Sequence, residues 1–111
     1  MTELELPTMI RTALAELKQQ LGALYGDRFR AIYLYGSYAR GAATRNSDLD
    51  ILLVLDGPVK PGAEITRVSA ITSEIGLHYD LLISTLPISA DWLETYHTSF
   101  LLNVRWEGVM V

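Results

Sequence analysis

Phe29-Arg30-Ala31-Ile32-Tyr33-Leu34-Tyr35-Gly36-Ser37-Tyr38-Ala39-Arg40-Gly41, followed a short way on by Asp48-Leu49-Asp50-Ile51-Leu52-Leu53-Val54-Leu55, decides how this chain folds. Residues 29–35 are rich in aromatic and aliphatic side chains over a strand's length and stop at Gly36-Ser37, so they predict a first strand. The run Ile51–Leu55 predicts a second, buried on both faces. Between them lies a loop of small and polar residues. On the N-terminal side, Ile10, Ala13, Leu14, Leu17, Leu21 and Leu24 recur at steps of three and four, which predicts a helix from about Pro7 to Tyr25. Pro7 suits its first turn and Gly26 its end. On the other side, Gly57-Pro58 and Pro61-Gly62 break the chain. Ile65, Val68, Ile71 or Thr72, and Ile75 give a weaker helical stripe, and Leu77, Tyr79, Leu81 and Ile83 alternate as a third strand. After Pro87, Ser89 can cap a helix through roughly His97, and a less regular segment ends in Glu107-Gly108 and an apolar tail. The expectation is an α/β (α+β) fold in one domain, residues 1–111, with a small mixed sheet of at least three strands flanked by helices.

Composition narrows the function. Half of the residues are hydrophobic, enough for one core in a chain of this length. Thirteen acidic against nine basic residues give a net charge of −4, so the chain as a whole has no basic footprint for a phosphate backbone and direct nucleic-acid binding is not expected. No leader-like segment and no run of about 20 apolar residues is present, which reads as a cytoplasmic protein without a membrane span. With no cysteine, disulfides, thiolate zinc sites and a cysteine nucleophile are excluded.

The chemistry gathers at the strand ends. Asp48 and Asp50 are two apart at the mouth of the second strand, so period-two alternation points both carboxylates to one face, where they can share a cation. Asp80 falls in the expected third strand among apolar neighbours, where an unpaired carboxylate is costly to bury. If the three converged, two charges about 4 Å apart would repel by roughly 4 kcal/mol at an effective dielectric near 20, and one would hold its proton unless cations were bound. Oxygen ligands without cysteine point to Mg²⁺, with Mn²⁺ as the substitute, rather than zinc. The plainer alternative is that Asp48 and Asp50 are solvated charges at a loop and that Asp80 faces water from an edge strand.

Gly36-Ser37 at a strand end allows close backbone approach and can present N–H groups and a hydroxyl to phosphate oxygens. Gly36 and Gly41 have the glycine spacing of a P-loop, but Ala42 and Ala43 stand where that motif needs Lys and Ser or Thr, so a P-loop NTPase is excluded. Arg40 and Arg45 are natural counter-charges for a triphosphate, Arg40 before Arg45. Taken singly, such a turn with a nearby arginine is more often only a turn. His78 and His97 lack metal-site spacing and read as surface residues. Trp92, Tyr96 and Phe100 read as a core stripe, or as a partner-facing one if exposed.

The combination of Gly36-Ser37, Arg40-Gly41, Ser47 and Asp48-x-Asp50 resembles the signature of the DNA polymerase β-like nucleotidyltransferases, especially their minimal branch, the MNT proteins. Family members carry Gly-Ser-x-Ala-Arg-Gly, a later Ser-Asp-x-Asp and a third carboxylate on a following strand, a place that Asp80 fits. The resemblance covers about residues 29–84. Val104 to Gly108 is similar, more weakly, to the family's closing Ile-x-x-Glu-Gly, and Glu107 is left as structural. The resemblance implies that Gly36 and Ser37 hold the β- and γ-phosphates of ATP and that Asp48 and Asp50 bind two Mg²⁺ ions. Asp80 would complete the second metal site and orient or deprotonate the acceptor, with pyrophosphate released. With about half the chain spent on the site, little is left to enclose a small acceptor. The chain therefore resembles the MNT antitoxins of HEPN/MNT toxin–antitoxin pairs, which transfer AMP to a tyrosine of the HEPN ribonuclease. Two alternatives stay open: a non-catalytic antitoxin that masks its toxin by binding, and the catalytic subunit of a two-chain transferase for a small molecule.

Overall fold

The computed structural model of the protein describes residues 6–44, 47–95 and 98–111. Helix α1, Thr8–Tyr25, buries Ile10, Ala13, Leu14, Leu17, Leu21 and Tyr25. The expected stripe is correct except at its end, where Leu24 is exposed and Tyr25 takes the inward position. Gly26 closes the helix at φ 56°, and a short 3₁₀ turn leads into β1, Phe29–Tyr35. Strand β2, Leu49–Leu55, pairs antiparallel with β1 and has both faces covered over Ile51–Leu55, as its continuous apolar run requires. Helix α2, Pro61–Tyr79, provides the crossover that parallel pairing demands. Strand β3, Ile83–Ser89, then lies parallel to β2 with Leu49 opposite Ile83 and Asp50 opposite Ser84.

The chain ends in α3, Ala90–Thr95, α4, Ser99–Glu107, and β4, Val109–Met110, which pairs with β1. The side chain of Ser89 accepts from Trp92 N at 3.1 Å, the cap expected at that serine. The described part of this helix runs to Thr95, the remainder of the expected span lies outside the described residues, and a cap at Thr98 opens α4. The result is a mixed α/β fold with the sheet order β3-β2-β1-β4. Helices α1 and α2 cover one face, meeting Ile32, Leu34, Leu49, Ile51, Leu53 and Leu55. On the other face Leu52 and Val54 pack with Ile88, Leu101 and Val104. No helix among the described residues is long and apolar enough to cross a membrane.

One expectation is corrected. Residues 77–80 are not strand: α2 continues through Tyr79, and Leu77 is 85% exposed on it. Asp80 follows in the left-handed region at φ 55°, and Leu81 N donates to Gly76 O at 2.8 Å. This reversal needs Gly76, because a Cβ there would lie 2.5 Å from Leu81 O.

The α2 stripe also starts one residue earlier than expected, with Glu64 buried and Ile65 exposed. The Glu64 carboxylate accepts from Tyr25 Oη at 3.1 Å and lies 3.7 Å from both the Arg28 and the Arg67 guanidinium. Arg28 also donates to the carbonyls of Asp56 and Pro58, tying the β2–α2 connection to the end of α1. Burial first, then the bond and charge of Glu64, push the Tyr25 phenol up to about 12, so it remains a donor at neutral pH. Glu64→Ala should lower stability by ~1–3 kcal/mol, because it strands the phenol and loosens two arginines that water can still reach. A urea titration will check this, and an unchanged midpoint would mean that the network is ornamental to the fold.

Candidate active site

The site is built where β1 ends and β2 begins. Gly36 leaves β1 at φ 76°, and a Cβ placed on it would lie 2.3 Å from Asp50 Oδ2. The carboxylate of Asp50 thus rests against the bare α-carbon of Gly36, which fits the strand register of Tyr35 opposite Asp50. The turn closes through Arg40 N to Gly36 O at 3.2 Å, Gly41 N to Tyr38 O at 3.3 Å and Ala42 N to Ser37 O at 2.9 Å. Tyr38 is buried, and Ala39 and Ala43 pack on the same core, which pins the turn to the sheet. Among the described residues no acceptor takes the N–H of Ser37, Tyr38 or Ala39. These groups open one end of a helical turn and are suited to an anion.

Leading into β2, the Ser47 hydroxyl accepts from Thr44 N at 2.8 Å, and Leu49 N donates to Leu82 O at 2.9 Å. Asp48 is exposed and Asp50 half-buried. By alternation Asp50 shares the face of Leu52 and Val54, the face of α3 and α4. Burial first, then the charge of Asp48, push the Asp50 carboxyl above its ordinary range, while Arg40 pulls the other way. Asp48 and Arg40 therefore both lie near enough to act on the Asp50 carboxylate.

Asp80 stands differently. It is exposed at the end of α2, on the lip of a 560 Å³ hollow shared with Thr72, Ser73, Gly76, Leu77 and Leu82. It precedes β3 at the end of the sheet where Asp48 precedes β2. Among the described residues no three acidic or histidine side chains gather closely enough to hold an ion; Asp48 is near enough for its charge to act on Asp50. Two carboxylates still fit Mg²⁺, which commonly takes one or two protein carboxylates and completes its shell with substrate phosphates and water. Arg45 lies outside the described residues, as do Tyr96 and His97.

Two residues near the site are not among the sequence candidates for it. Tyr35 faces Asp50, and burial and then the Asp50 charge push its phenol up. Its ring also meets Phe100 edge to face, with centroids 5.4 Å apart. Glu107, read as structural, lies with Oε2 3.5 Å from Arg40 Nη1. Of the aromatic stripe expected from the sequence, Tyr96 lies outside the described residues, and Trp92 lies on α3 and Phe100 on α4. Both are substantially exposed and line a 550 Å³ groove with Pro58, Leu86 and Leu101.

The chain belongs to the nucleotidyltransferase domain family, whose model matches residues 14–101, and it is a nucleotidyltransferase enzyme. A protein of Methanocaldococcus jannaschii named "Putative protein adenylyltransferase" is 37% identical over 97 residues, which cover 86% of this chain and 92% of that protein. The fold is shared with a toxin–antitoxin chain crystallised with AMP-PNP, at TM-score 0.61 and 20% identity over 89% of this chain and 69% of the other. It is shared as well with a chain from a mutant of the MntA–HpeT toxin–antitoxin pair, at TM-score 0.60 and 19% identity over 96% and 72%.

Proposed function

We propose that this enzyme transfers AMP from ATP to a tyrosine hydroxyl of a partner protein, a HEPN-type ribonuclease toxin, and so acts as its antitoxin. The observation that carries the reading is the contact of Asp50 with Gly36, which joins a metal-binding carboxylate to a turn with open N–H groups. Support for protein as the acceptor comes from the name of the archaeal relative. Support for a toxin partner comes from the shared fold with chains of toxin–antitoxin pairs, and for ATP from the analogue AMP-PNP in one of them.

In this mechanism the N–H groups of Ser37, Tyr38 and Ala39 and the Ser37 hydroxyl hold the β- and γ-phosphates, with Arg40, and Arg45 as a second candidate, neutralising them. Asp48 and Asp50 would hold Mg²⁺ or Mn²⁺, two ions in this reading, and the metal would supply charge that offsets the triphosphate and makes the α-phosphorus more electrophilic. The acceptor oxygen attacks that phosphorus in line. A bond forms between the tyrosine oxygen and the α-phosphorus, the bond to the bridging oxygen breaks, and pyrophosphate leaves with its electron pair. Tyrosine has a pKa near 10, so its proton must be taken up, and Asp80 at the same end of the sheet is proposed to receive it; Asp80 would also be the third carboxylate available to a metal.

The exposed groove of Trp92 and Phe100 favours the second reading, a module that only masks its partner. Stoichiometry separates the two. With ATP and Mg²⁺, a small fraction of a molar equivalent should silence the whole pool of toxin in time, and chelating Mg²⁺ should stop it. The silenced partner should gain the mass of one or more AMP groups and stay inactive after this chain is removed. Neutralisation that needs a full equivalent, ignores ATP and leaves the partner's mass unchanged would establish masking instead.

A further inference from the structure

We propose that Glu107 is a positioning residue that holds the Arg40 guanidinium in place for the triphosphate. The inference rests on the nucleotide-binding half of the reading above. Arg40 springs from the turn that touches Asp50, with its N–H on Gly36 O. Glu107 comes from the far end of the sequence, in the last turn of α4, and Oε2 stands 3.5 Å from Arg40 Nη1. Its backbone is fixed on both sides. Gly108 N donates to Val104 O at 2.7 Å, with no room for a Cβ, which would lie 2.3 Å from that oxygen. Val109 and Met110 then pair with Leu34 and Tyr33, which ties the end of α4 to the strand that leads into the Gly36 turn.

Stability does not account for this placement. Both side chains are about half exposed, and such pairs contribute little to folding. The C-terminal turn of a helix is moreover an unfavourable place for an acid, because the helix dipole is negative there. What the pair does is narrow the directions that a flexible arginine can take. A guanidinium has five N–H donors in a planar fork, so Glu107 can occupy one edge and leave the other for phosphate oxygens. An arginine already ordered loses less rotamer freedom when it meets the β- and γ-phosphates.

The test is calorimetric binding of AMP-PNP with Mg²⁺, and of AMP, to wild type, Glu107→Ala, Glu107→Asp, Arg40→Ala and the double variant, with urea midpoints to confirm folding. Glu107→Ala should weaken AMP-PNP by about tenfold, within the reach of an arginine's rotamer freedom, and leave AMP unchanged. Glu107→Asp should restore part of the loss. In the Arg40→Ala background, removal of Glu107 should cost nothing more, since coupled residues are not additive. Unchanged AMP-PNP affinity in Glu107→Ala overturns the proposal, and so does an equal loss with and without Arg40 or an equal loss for AMP. Failure of the parent reading looks different. A wild type that binds neither nucleotide ends both, whereas one that binds AMP-PNP but never modifies a partner ends only the functional reading and leaves Glu107 to be judged by the cycle.

Discussion

Asp50→Asn loses nucleotide transfer by on the order of a thousandfold or more, the scale on which metal-bound charge stabilises a transition state, while the fold survives. Asparagine keeps the volume of aspartate, so the contact with Gly36 stays filled, but it removes the charge proposed to hold Mg²⁺. The same change alters the pH dependence of stability in a defined direction. The Asp50 carboxyl is raised above its ordinary value of 3.8 by burial and by Asp48. A raised acid favours the folded state in its protonated form, so this contribution is present at low pH and is lost as pH climbs from the ordinary carboxylate value through the raised one. Without metal at neutral pH, Asp50→Asn should therefore melt no lower than wild type, and Mg²⁺ should raise the melting temperature of wild type but not of the variant. Asp48→Asn should share the loss of transfer. Near wild-type transfer by Asp50→Asn at saturating Mg²⁺ would remove Asp50 from the site.

Gly36→Ala produces the second large effect, and it combines two losses. At φ 76° an alanine pays ~1–2 kcal/mol for the left-handed backbone, and its Cβ has to push Asp50 Oδ2 from 2.3 Å to an ordinary contact. Moving the carboxylate by an ångström or more should cost about a hundredfold in transfer rate, with Mg²⁺ affinity falling in parallel. Urea unfolding, Mg²⁺ titration and transfer kinetics on one preparation will separate the two losses. A variant destabilised as expected but fully active would show that Asp50 can shift without harm, and that the contact is packing rather than chemistry.

The parts of this molecule that the sequence reveals are those governed by local rules. Ile51 to Leu55 announces a buried strand because only a doubly covered strand is apolar at every position, and Asp48 and Asp50 share a face because pleating alternates. The Gly36 turn was visible because its two demands, a positive φ and a close neighbour, fall on one residue. The alternation of Leu77, Tyr79, Leu81 and Ile83 misled, because period two over four residues competes poorly with a helix already buried through Val68 and Ile75. Gly76 looks like a breaker yet serves as the acceptor that ends α2. Glu64 carries no mark in the sequence, and Glu107 carries only a weak likeness to a family motif with no role attached, for another reason. A charged residue on a helix reads as solvated, and only partners brought from elsewhere in the chain, Tyr25, Arg28 and Arg67 for one and Arg40 for the other, give each its place.

The network around Glu64 and the turn at Gly36 lie at opposite ends of β1 and β2, separated by seven-residue strands of roughly 20 Å. The sheet thus has an anchored end and a working end. At the first, a buried carboxylate, a phenol and two arginines bind strand, helix and loop together. At the second, like charges face each other beside open N–H groups. Opening free energy is graded along such a strand rather than uniform, lowest where backbone groups are exposed and contacts few. Under the proposed function, nucleotide enters and product leaves at the working end, while the other end keeps the molecule folded.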